Sequence, residues 1–119
     1  MLLGQTGYGT VRREAYLYLW KMKAEGLSDE LRDFLGAKRG PRRNDAQLVL
    51  QLIDHGQKKP CLAPSHRSRV ATELMFALRL KINPKLILGF LAEIGTQERI
   101  ISLYNSKTKP KIAAAYKMG

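Results

Sequence analysis

At 119 residues and 45% apolar composition, the chain is long enough to bury one core unaided and too apolar to be a disordered basic tail. Cys61 stands alone, which excludes an intrachain disulfide and fits a reducing compartment. The formal net charge of +11 is segregated: residues 1–36 carry five cations and five carboxylates, whereas residues 37–119 carry sixteen cations against five carboxylates.

In chain order, Gly4, Gly7 and Gly9 predict a loose N-terminus over residues 1–9. The spacing of Ala15, Leu17, Tyr18, Leu19 and Met22 predicts a helix from about Thr10 to Glu25, stopped by Gly26. A short strand over Tyr16–Trp20 is the alternative, since Tyr and Trp suit pleated surfaces. Ser28 then caps a short helix, Asp29 to Leu35, whose first-turn carboxylates face the positive end of the helix dipole. Asn44 with Gln47 is a capping-box signature for a helix carrying Leu48, Val49, Leu50, Leu52 and Ile53, with Gly56 at its end. Pro60 and Pro64 make Gln57–His66 a loop.

From about Arg67 to Lys81 the pattern is again helical and buries Val70, Leu74 and Leu78, with Met75 and Phe76 alongside. Asn83-Pro84 opens the segment Lys85–Ile94, which is apolar almost all round and so is either central in the core or held against a second subunit. A homodimer is therefore expected. Gly95 ends that segment, Thr96 caps the next helix, and Ile100, Ile101, Leu103 and Tyr104 form its inward face. The basic tail, residues 107–119, is expected to stay mobile or to dock as a last short helix. These readings give an all-α bundle of five or six short helices in a single domain, residues 10–106.

Catalysis has little support in the residue pattern. His55, Cys61 and His66 lack the paired spacing of a closed zinc site, and the glycines at 4, 7 and 9 follow no strand, so they are not a dinucleotide fingerprint. Neither an enzyme nor a cofactor is expected. The start of the chain has no basic stretch followed by an apolar one, and no segment is long and apolar enough to cross a bilayer, so a cytoplasmic protein without membrane contact is expected.

Charge carries the functional signal. A large excess costs self-repulsion on compaction and suits a polyanionic partner, because neutralised phosphates release condensed counterions. Lys38, Arg39, Arg42 and Arg43 place four cations in six residues directly before a helix start, and Lys58, Lys59, Arg67 and Arg69 repeat the arrangement at the next one. Arginine forks beside free helix N–H groups suit phosphate. The bland alternative is a pair of solvated loops. The segment around Gly95 has the lengths of a helix-turn-helix in which Gln97, Arg99, Ser102 and Asn105 reach base edges or phosphates; an ordinary αα-hairpin is the alternative.

The stretch Leu74-Met75-Phe76-Ala77-Leu78-Arg79-Leu80-Lys81-Ile82-Asn83, followed by Leu91-Ala92-Glu93-Ile94 and Ile101-Ser102-Leu103-Tyr104, resembles part of the D subunit of the flagellar master transcriptional activator and its conjugative-element relatives. The resemblance implies an all-α regulator that assembles with itself or a partner subunit at promoter DNA. The sequence is thus read as a DNA-binding transcriptional regulator, an activator, of a bacterial or mobile-element system, with double-stranded DNA as partner. Two alternatives stand beside it: an RNA-binding or ribosome-associated protein, and a phage or plasmid inhibitor that acts by protein interaction.

Overall fold

The computed structural model describes residues 3–35, 44–54 and 64–117. Among them the chain is helical throughout: α1 (Leu3–Glu25), α2 (Ser28–Leu35), α3 (Asp45–Asp54), α4 (Pro64–Arg79), α5 (Ile87–Ile94) and α6 (Gln97–Asn105), with 3-10 turns at Pro84–Leu86 and Lys111–Tyr116. The Cα radius of gyration is 14.0 Å, close to the roughly 13.5 Å expected of one folded body of this length.

α1 begins at Leu3, seven residues before the start predicted at Thr10, and takes in Gly4, Gly7 and Gly9. Its buried positions, Ala15, Tyr16, Leu19 and Met22, follow helical spacing and rule out the short strand over Tyr16–Trp20. Leu17 and Tyr18, read from sequence as part of the inward pattern, instead lie on the outer face at 44% and 48% exposure. The 3.6-residue period allows only one stripe to face the core, and of the two tyrosines Tyr16 lies on it and Tyr18 does not. The Tyr16 hydroxyl donates to the Ile82 carbonyl (2.7 Å), joining α1 to the turn after α4.

Local chemistry sets most of the boundaries. Gly26 adopts φ 68° and closes α1, with Leu27 N–H donating to Met22 O (3.0 Å) in the bonding pattern of a Schellman end. The Asn44 side chain accepts from Gln47 N–H (2.9 Å) and caps α3, while Lys23 pairs with Asp45 (2.8 Å) across the α1–α3 junction. α4 starts at Pro64 rather than near Arg67. Proline fits the first helical turn, where its missing N–H has no intrahelical acceptor to lose, so Pro64 opens the helix instead of blocking it. Asn83 accepts from Lys85 N–H (3.0 Å) and Thr96 from Arg99 N–H (3.2 Å), as the cap residues predicted.

The core joins α1, α3, α4, α5 and α6. α4 contributes Val70, Ala71, Leu74, Phe76 and Ala77, with Phe76 fully buried where Leu78 was expected to be; Leu78 is only half-buried. The segment predicted to be apolar all round buries Ile87, Phe90, Leu91 and Ile94 in this core, leaving Leu86 exposed and Leu88 half-buried. The C-terminal residues dock. Ala113 is buried, Tyr116 O accepts from Asn83 N–H (2.7 Å), and Ile82 and Lys117 form an antiparallel bridge.

Burial raises the Tyr16 hydroxyl pKa well above the ordinary tyrosine value, against the smaller opposing effect of its hydrogen bonds. Folded Tyr16 therefore holds its proton after the unfolded chain has lost it near pH 10. Its contribution to stability is complete below that pH and declines above it. Tyr116 shifts the same way, chiefly through its hydrogen bond to Glu93. Urea midpoints of wild type should fall above about pH 10, and Tyr16→Phe should show a smaller fall; equal slopes would exclude Tyr16 as a source.

Candidate nucleic-acid interface

Of the residues nominated from sequence, Lys38, Arg39, Arg42, Arg43, Lys58 and Lys59 lie outside the described residues. Arg67 and Arg69 lie on α4, half-buried and exposed respectively. Arg69 approaches Glu98 of α6 at 3.7 Å, an exposed pair of little energetic weight. Gln97 is turned inward, its Nε2–H donating to Glu73 Oε1 (2.8 Å), so this donor is committed inside the fold. Arg99 is exposed in the first turn of α6.

The helix pair flanking Gly95 is joined by two residues, but the side-chain bonds of α6 run to α4: Gln97 to Glu73, Glu98 to Arg69, and the Tyr104 carbonyl to Arg79. The outer face of α6 presents Arg99, Ser102 and Asn105. Arg69, Ser102 and Asn105 share an open cleft of about 570 Å³ along the α4–α6 seam. Its lining offers hydroxyl, amide and guanidinium groups together with the Glu98 carboxylate and Ile101.

A second group of cations, of which only Arg99 was singled out from sequence as a site residue, lies in the C-terminal third of the chain. Residues 79–117 contain Arg79, Lys81, Lys85, Arg99, Lys107, Lys109, Lys111 and Lys117 against only Glu93 and Glu98, and all eight cations are exposed. Both carboxylates are engaged elsewhere, Glu93 by the Tyr116 hydroxyl (2.9 Å) and Glu98 by Arg69. Among the described residues, no carboxylate pairs with any of these eight.

The fold gathers several of them. Arg79, the last residue of α4, donates from Nη1 to the Tyr104 carbonyl (3.0 Å) near the end of α6, and its guanidinium lies 3.9 Å from the Tyr104 ring centroid. The two helix ends are thereby held together. Each closes on a lysine in the left-handed region: Lys81 and Lys107 both have φ 58°. Lys81 N–H donates to Leu78 O and Ile82 N–H to Ala77 O, both at 3.0 Å; Lys107 N–H donates to Tyr104 O (3.2 Å) and Thr108 N–H to Leu103 O (3.0 Å). Both are Schellman ends, in which glycine is the usual occupant, and a residue with a Cβ costs roughly 1 kcal/mol more there. The antiparallel bridge sets Lys117 opposite Ile82, the residue that follows Lys81.

The charge count of residues 79–117 could have flagged this end from sequence. Its convergence could not, because it depends on pairings between residues 25 and 35 positions apart.

The aromatic rings near these cations are occupied. Phe76 and Phe90 stack in the core at 5.9 Å, Phe90 meets Tyr116 at 5.5 Å, and Tyr104 is covered by Arg79. Comparisons with protein-family models, curated proteins and solved structures give no match to this chain. Among the described residues, no helix is long and apolar enough to cross a membrane.

Proposed function

We propose that this protein binds duplex DNA through the phosphate backbone and serves as a transcriptional regulator, with the α4–α6 side as its contact surface. The observation that carries the reading is the set of eight exposed cations in residues 79–117, whose only two carboxylates are engaged elsewhere. Eight cations against two carboxylates leave an excess of positive charge in this segment, and so a positive field around it. The committed aromatic rings favour a duplex over single strands, because single-strand binders stack bases on exposed rings. The polar face of α6, with Arg99, Ser102 and Asn105 beside Arg69, supplies groups of the kind that read base edges.

Fluorescence anisotropy against random duplex DNA, duplex RNA and single strands, across a salt series, tests the reading. Duplex DNA should bind with log K falling by about 0.9 per phosphate contact for each tenfold rise in salt. The basic loops are included in the proposal. Arg42→Ala with Arg43→Ala should weaken binding on all sequences and flatten the slope by about one unit per lost contact. A flat, weak response on all three nucleic acids would overturn it. Tighter binding to duplex RNA would select the RNA-binding alternative.

One observation favours a protein partner as a second reading. An apolar groove of about 440 Å³ runs between α1, α2 and α3, floored by Met22, Leu27, Leu31 and Val49, with exposed Tyr18 beside it and Lys21, Glu25 and Glu30 on its rim. A partner helix with apolar anchors and flanking basic residues matches that lining. Stable pull-down of such a partner, without salt-sensitive DNA binding, would select this reading.

A further inference from the structure

We infer that Lys81 and Lys107 form a two-point phosphate clamp on duplex DNA, a specific contact that rests on the proposed DNA-binding function. Both lysines occupy the left-handed position at the end of a helix, where the backbone favours glycine. A favourable interaction with the helix dipole does not explain the placement. A lysine in the last helical turn would serve the dipole equally well without the torsional cost.

Placement at the left-handed position has a different consequence. It throws the side chain off the end of the helix. Leu80, immediately before Lys81, is 4% exposed. The Arg79 bond to the Tyr104 carbonyl then sets the two helix ends side by side, and the Ile82–Lys117 bridge adds a third lysine at the margin. Arg79 is held by the Tyr104 ring and carbonyl and acts as the brace. Lys81 and Lys107 are exposed, and among the described residues neither pairs with a carboxylate. Ammonium groups on flexible stems bind phosphate oxygens as point charges, independent of sequence. Local strain kept at two adjoining positions marks a site where function and stability pull apart.

Glycine substitution separates the two. The double variant Lys81→Gly/Lys107→Gly should raise Tm by about 5 °C, because glycine relieves both left-handed positions. The same variant should lose roughly 30-fold in affinity for a random 20-base-pair duplex near 0.15 M salt and flatten the salt slope by about two units. Lys81→Asn/Lys107→Asn, which tolerates the same backbone without the charge, should reproduce the affinity loss. Lys81→Arg/Lys107→Arg should restore binding, and Lys21→Ala, within the charge-balanced residues 1–36, should leave it unchanged.

A glycine variant that is more stable and binds as tightly as wild type would overturn the clamp while leaving the DNA-binding reading intact. A wild-type protein that shows no salt-dependent duplex binding would overturn both. Equal loss with Lys21→Ala would overturn the clamp, since the effect would then come from net charge alone.

Discussion

Glu73→Ala should destabilise the fold by about 3–5 kcal/mol, the cost of breaking a buried ion pair from one side. Glu73 is the one charged side chain among the described residues that is buried, at 3% exposure. Its Oε1 accepts from Arg12 Nε (3.2 Å), Arg12 Nη2 (3.0 Å) and Gln97 Nε2 (2.8 Å), so one oxygen joins α1, α4 and α6. Removing the carboxylate leaves a guanidinium and an amide without their acceptor, beside a cavity of about 280 Å³ whose walls include Leu88 and Leu91. Arg12, with 21% of its side chain exposed, can turn partly to water, which places the expected loss toward the lower end of the range.

Replacing both members of the pair tests the origin of the effect. Arg12→Met/Glu73→Leu removes the guanidinium with its acceptor, leaves only the Gln97 amide to be re-paired, and should lie closer to wild type than Glu73→Ala. Urea unfolding of the three proteins checks this. A Glu73→Ala loss below about 1 kcal/mol would show that the ion pair does not hold these helices together. The inward bond of Gln97 also fixes the first turn of α6, which carries Arg99.

Phe90→Ala should cost a similar about 3–5 kcal/mol, from lost apolar burial and the cavity left behind. Phe90 is fully buried, stacked on Phe76 at 5.9 Å and tilted against Tyr116 at 5.5 Å. The substitution therefore also removes the ring that seats the C-terminal segment. Hydrogen exchange should show this locally. The Asn83 amide, bonded to Tyr116 O at 2.7 Å, should lose protection under native conditions along with the bridge at Lys117. Protection of Asn83 that falls only as far as the global stability falls would mean the segment is held independently of Phe90. Because Lys117 rides on that segment, its release should also weaken the basic end of the molecule.

Features with a local physical cause were legible before the fold was known. Asn44, Asn83 and Thr96 cap helices because a side-chain oxygen reaches an N–H two or three residues ahead. Gly26 ends α1 for an equally local reason. Misreadings occurred where several patterns fitted: the glycines near the N-terminus suggested loop but are carried in α1, and Pro64 suggested a break but starts a helix. Neighbouring Tyr16 and Tyr18 could not be assigned to inside or outside from spacing alone. The first reaches the Ile82 carbonyl, 66 positions away, and the second is left on the surface.

By itself the sequence determined an all-α chain, the caps of its later helices and a charge excess confined to residues 37–119. Each of these follows from composition or from interactions within one helical turn. Only the tertiary structure decided that Gln97 turns inward to Glu73, that the C-terminal segment docks on Phe90 and Asn83, and that α4 and α6 end side by side on two left-handed lysines. Those outcomes depend on packing between distant segments. Linear spacing carries no information about which exposed cations such packing brings together.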